Sequence, residues 1–148
     1  RMAAKAYVDT PTGKVSEADK ERALQAVDAG STWLDSFTEE IDPQEMAFLR
    51  AGITYIKGWV YMTSHDHYPA IPLLQEAFTL QKEIKDAENY VFPLAALSQC
   101  YSELGDTDAL HNLLIEVKET IKTTSLHSGK LRTLAREIEK ELGGEGEA

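Results

Sequence analysis

The chain has 148 residues, 43% of them apolar, and its 15 basic and 25 acidic residues give a formal net charge of −10. One domain of this length buries enough surface to fold without disulfides or metal. The acidic balance argues against nucleic acid and an anionic membrane as main partners, because both repel such a surface, and leaves a basic or apolar protein partner.

Capping signals divide the chain in order. Residues 1–15 contain Thr10-Pro11-Thr12-Gly13 and read as a flexible leader. Ser16 with Asp19 resembles a capping box opening a first helix, with Leu24, Val27, Leu34, Phe37 and Ile41 on one side. Asp42-Pro43-Gln44-Glu45 is a stronger start, with an N-cap carboxylate, proline at the first helical position and glutamate at the third. The helix it opens reaches about Ser64 and is apolar around most of its circumference, so it is expected to be sandwiched between neighbours.

A third helix starts near Tyr68, placing Pro69 and Pro72 in its first turn, and runs towards Lys85. The fourth spans about Asn89 to Leu104 and is closed by Gly105, a residue suited to left-handed backbone. Thr107 is the expected cap of the fifth, whose stripe is Leu110, Leu113, Leu114, Val117 and Ile121. Ser125 is expected to open the sixth, with Leu131, Leu134, Ile138 and Leu142 on its apolar face and Gly143-Gly144 as its stop. The expectation is an all-α fold of about six helices: one domain over 16–142 and a disordered tail over 143–148. Connections this short favour antiparallel neighbours.

Comparing the second and fourth helices uncovers an internal repeat. Gly58-x-x-Tyr61 is followed by Asp66, Ala70, Ile71, Leu74 and Ala77. Forty residues later Ser98-x-x-Tyr101 is followed by Gly105-Asp106, Ala109-Leu110, Leu114 and Val117. Small residues where helices cross let the axes approach, and tyrosine adds a broad apolar face with a hydroxyl that can reach the next helix. Over about residues 43–122 this pattern resembles the tetratricopeptide repeat family. The resemblance implies antiparallel hairpins stacked as a short superhelix, with Gly58, Tyr61, Ala70, Ala77, Tyr101 and Gly105 as packing positions. The copies depart from the family's period of about 34 residues, and His65 stands where the first copy's turn glycine would be.

The family's inner groove is lined by the first helix of each hairpin. Carried over, the groove positions are Tyr55, Ile56, Trp59, Met62 and Thr63 on the second helix, with Gly52 beside them, and Phe92, Ala96 and Gln99 on the fourth, with Ala95, Ser102 and Glu103. Trp59 is the most pointed of these, since a large indole is a frequent affinity anchor. The competing reading buries Trp59, Ile56 and Met62 under the first helix or a second copy of the chain. Some relatives clamp acidic chaperone tails with lysine, asparagine and arginine, but Tyr55, Trp59 and Ala96 occupy clamp positions here.

No Gly-rich phosphate loop, Cys-x-x-Cys pair, His-Glu-x-x-His helix or Gly-x-Ser-x-Gly elbow occurs, so neither catalytic residue nor cofactor is expected. Cys100 is the sole cysteine, which rules out an internal disulfide and favours a reducing compartment, the cytoplasm. No apolar run is long enough to suggest a membrane span. His65-Asp66-His67 sits at a hairpin corner; a metal reading needs a third ligand arriving from elsewhere, and neither His111 nor His127 has suitable spacing. It is read as a polar turn without metal. The functional expectation is a non-catalytic module that binds a peptide or helix in a helical groove. The alternatives are a self-assembling homo-oligomer and an enzyme or regulator with a small ligand in the concavity.

Overall fold

The structure, a computed structural model, describes residues 16–147, so the expected leader lies outside the described residues. The described residues form helices α1 (Glu17–Asp35), α2 (Pro43–Thr63), α3 (His67–Glu83), α4 (Val91–Leu104), α5 (Thr107–Thr123) and α6 (Gly129–Glu147), with no strand among them. Short 3₁₀ turns at Ala87–Asn89 and Ser125–His127 precede α4 and α6. No described helix is long and apolar enough to cross a membrane.

The strongest caps act as expected. Ser16 Oγ accepts the Asp19 backbone N–H at 3.1 Å and donates to the Asp19 carboxylate at 2.8 Å. Asp42 Oδ2 accepts from the N–H groups of Gln44 and Glu45 at 3.0 and 3.3 Å, relieving two donors that a helix start otherwise leaves unpaired. Other boundaries differ. α1 stops at Asp35, short of Phe37 and Ile41, where the Ser36 and Thr38 hydroxyls donate back to the Trp33 and Asp35 carbonyls. α3 starts at His67, which leaves Pro72 in its second turn, where it removes one backbone donor.

Asp106, not Thr107, caps α5: the left-handed turn at Gly105 leaves the Asp106 carboxylate to accept from Ala109 N–H at 3.1 Å. Ser125 opens a 3₁₀ turn, and α6 starts only at Gly129. Gly143 and Gly144 do not end α6, which continues to Glu147. Glycine costs a helix about 1 kcal/mol per residue, a penalty and not a stop.

Ion pairs record the antiparallel register of α1 on α2: Lys20–Asp66 at 2.8 Å, Lys57–Asp28 at 3.3 Å and Arg50–Asp35 at 2.6 Å. The α2–α3 hairpin is the most extensively packed pair, each later helix packs on its predecessor, and α2–α4 and α4–α6 also touch. The core gathers Ala70, Leu74 and Phe78 of α3, Leu94, Leu97, Cys100 and Tyr101 of α4, Leu110, Leu113 and Val117 of α5, and Leu131, Leu134 and Ile138 of α6. Tyr101 does reach the neighbouring hairpin, its hydroxyl accepting from Gln75 Nε2 at 3.2 Å.

Gly58 permits a close approach of α2 to α3, its nearest neighbours being Leu74 and Leu73. A Cβ built there would stand 2.9 Å from Leu74 Cδ2, 3.0 Å from Leu74 Cγ and 3.2 Å from Leu73 Cβ. Leu74 is fully buried and Leu73 Cβ is fixed to the α3 backbone, so neither can yield without moving the helices. Gly30, by contrast, has open space where a Cβ would go. In urea unfolding, Gly58→Val should lose about 1–3 kcal/mol through overpacking. Gly30→Ala should gain up to about 1 kcal/mol through helix propensity.

Candidate functional site

The faces of α2 determine what the molecule can offer a partner. Ala51, Gly58 and Met62 share the face against α3, while Arg50 and Lys57 face α1 through their ion pairs. At 100° per residue, the arc left between these faces carries Phe48, Gly52, Ile56, Trp59 and Thr63. Phe48, Ile56 and Trp59 are 48, 50 and 46% exposed, so α1 does not cover them. The helix is therefore sandwiched on two sides and open on a third.

Across from this arc stands Phe92, in the first turn of α4, its ring centroid 6.4 Å from that of Tyr55 and Lys130 Nζ 5.5 Å above it. Between them lies a trough of about 380 Å³ lined by Phe48, Ala51, Gly52, Tyr55, Ile56, Gln81, Asp86, Asn89 and Phe92. Burial pushes the Tyr55 phenol above its ordinary pKa, so the ring stays neutral. Beyond Phe48 the trough continues into a depression lined by Asp42, Glu45 and Asp86, with Lys85 among them.

The expected groove residues divide. Tyr55, Ile56 and Phe92 line the trough, and Trp59 extends its apolar edge by a turn. Met62 and Ala96, each 5% exposed, belong to the core instead. Met62 lies on the face of α2 that meets α3, and Ala96 is a small residue among the packed side chains around α4. Thr63 turns its hydroxyl back to the Trp59 and Val60 carbonyls, and Gln99 is engaged with Glu103.

Phe48, Gln81, Asp86 and Asn89 escaped the sequence reading. Phe48 had a legible signal, standing four and seven residues before Gly52 and Tyr55. Gln81 falls seven and four residues after Leu74 and Ala77, on the buried stripe of α3, but its polar side chain masks that signal. It is 5% exposed, and its Oε1 accepts no hydrogen bond among the described residues.

A second cluster occupies the α2–α3 corner. His65 there has left-handed backbone, φ +60°, and the equivalent corner after α4 has Gly105 at φ +69°. Both corners close alike: the N–H of His65 reaches Met62 O and that of Asp66 reaches Tyr61 O, while Gly105 and Asp106 bond to Ser102 and Tyr101. Around His65 stand His67, whose Nε2 is 2.8 Å from Glu103 Oε1, and Glu103 itself, 3.5 Å from His65 Nδ1. Burial raises the Glu103 carboxyl, but hydrogen bonds from Gln99 and His67 and the charge of both imidazoles outweigh it, holding the group below its ordinary value. The third group that the histidine pair lacked in sequence is thus Glu103, brought in by α4.

Family models, curated proteins and solved structures yield no match to the chain.

Cys100 is fully buried in α4, and burial, with the nearby Glu103 charge, pushes its thiol up to about 11. It should resist an aromatic disulfide reagent at pH 8 in the folded protein and react at once in denaturant. A raised thiol pKa stabilises the fold fully below pH 9, the unfolded value. That contribution should fade between pH 9 and 11 as the unfolded chain ionises, and a urea midpoint that rose over that range would contradict this assignment.

Proposed function

We propose that the chain is a non-catalytic, tetratricopeptide-like interaction module that binds an apolar segment of a partner protein in the α2–α4 trough. The observation that carries this reading is the open stripe of Phe48, Ile56 and Trp59 on α2, of which Phe48 and Ile56 line a cleft of side-chain size with Phe92. Aromatic anchors exposed at a concave site are a common source of binding energy.

The floor and rim supply the polar half of the recognition. Gln81 lies beneath the trough with its carbonyl oxygen buried and without a donor among the described residues, which costs about 1–3 kcal/mol. Asp86 stands beside it, and Asp42 and Glu45 lie past Phe48. An occupant that satisfies this arrangement has an apolar side chain followed by a cation or other N–H donor. The same acidity, with a net charge of −10, opposes a second copy of this chain as the occupant.

Selection from a displayed peptide library should therefore enrich sequences with an aromatic or aliphatic residue next to lysine or arginine. Binding of a selected peptide should weaken at least tenfold in Trp59→Ala and in Phe92→Ala, with helicity by circular dichroism unchanged, and should weaken with salt. Gln81→Leu should stabilise the free fold by about 1 kcal/mol. If Trp59→Ala unfolds the chain, or selected peptides bind Phe92→Ala undiminished, the trough is not the docking site.

A further inference from the structure

We propose that His65, His67 and Glu103 form a site for a borderline divalent cation, zinc by preference, that clips the α2–α3 corner to the last turn of α4. One ligand atom from each of the three residues lies within 4.8 Å of the others. The pairs His67 Nε2–Glu103 Oε1 and His65 Nδ1–Glu103 Oε1 stand at 2.8 and 3.5 Å. Two ligands of a tetrahedral zinc, each about 2.0–2.1 Å from the metal, are separated by roughly 3.4 Å. The three groups are thus already near coordination spacing.

The donor set identifies the metal class. Two imidazoles and a carboxylate suit zinc, nickel, cobalt and copper, whereas calcium and magnesium call for oxygen ligands. His67 is the anchored member, its side chain 10% exposed, while His65 and Glu103 are 43 and 34% exposed and give the ion a route in. Gln99 Nε2 donates to the second Glu103 oxygen at 3.0 Å and orients the carboxylate from outside the ligand set. Asp66 is held away by Lys20 at 2.8 Å, so it does not compete for the position. Three protein ligands leave water to complete the coordination.

Two observations on the chain itself support this assignment. Imidazole occupies a left-handed backbone position whose counterpart, Gly105, uses the residue that best suits it. The ligands also come from two successive hairpins, so an ion there would lock their relative placement in a way neither hairpin achieves alone. The proposal is independent of the trough, and no partner protein enters its test.

Calorimetric titration of the untagged chain with zinc chloride in a non-chelating buffer should show one equivalent bound with micromolar affinity. The melting temperature should rise with zinc. His65→Gly is the decisive variant because it retains the left-handed corner and therefore the fold. It and Glu103→Gln should each weaken zinc at least tenfold and abolish the zinc-dependent rise in melting temperature. His111→Ala should leave both readouts unchanged. Absence of stoichiometric zinc binding by the parent chain overturns the proposal, as does undiminished binding by His65→Gly or Glu103→Gln.

Discussion

Gly58 sets the separation of α2 and α3, and much of the molecule follows from that contact. A Cβ there would meet Leu74 and Leu73 inside normal packing distance, so the two axes lie as close as they do only because no side chain separates them. Leu74 thereby reaches the centre of the core beside Phe78 and Leu94, and the following helices build on that surface. With α3 held on one face of α2 and α1 on another, the third face has no neighbour within the described chain. The open stripe is a consequence of how tightly the first hairpin closes.

The corners show a related economy of means. Each helix end before α3, α4 and α5 is closed by one left-handed residue, respectively His65, Lys85 and Gly105, with the following N–H bonding back into the last turn. Only the third uses glycine. A non-glycine residue in that conformation carries a backbone cost of about 1–2 kcal/mol. The surrounding hydrogen bonds compensate for it, and they present an imidazole or an ammonium group at the tip. The His65 corner thus puts a titratable, metal-binding side chain against the end of α4.

The surface pairs between α1 and α2 add little stability individually, yet they mark the register and take up Asp28, Asp35 and Asp66. Asp42, which caps α2, and Asp86, which accepts from Asn89 Nδ2, stand with Glu45 and Lys85 beyond Phe48.

Residue spacing by itself determined the helical class, the six elements and most of the buried positions, because caps and apolar periodicity are local signals. Ser16, Asp42, Gly105 and the stripes Leu110–Leu113–Val117 and Leu131–Leu134–Ile138 were legible for that reason. Helix ends at Asp35 and Glu147 were less so, since hydroxyl back-bonding and tolerance of glycine depend on small energy differences. Three dimensions decided the sites. Met62 and Trp59 lie three residues apart on one helix, yet one is core and the other open, because the neighbours of α2 and not its own pattern choose which face is covered. Likewise no spacing joins His65 to Glu103: the stacking of the second hairpin on the first brings the carboxylate within reach of both rings.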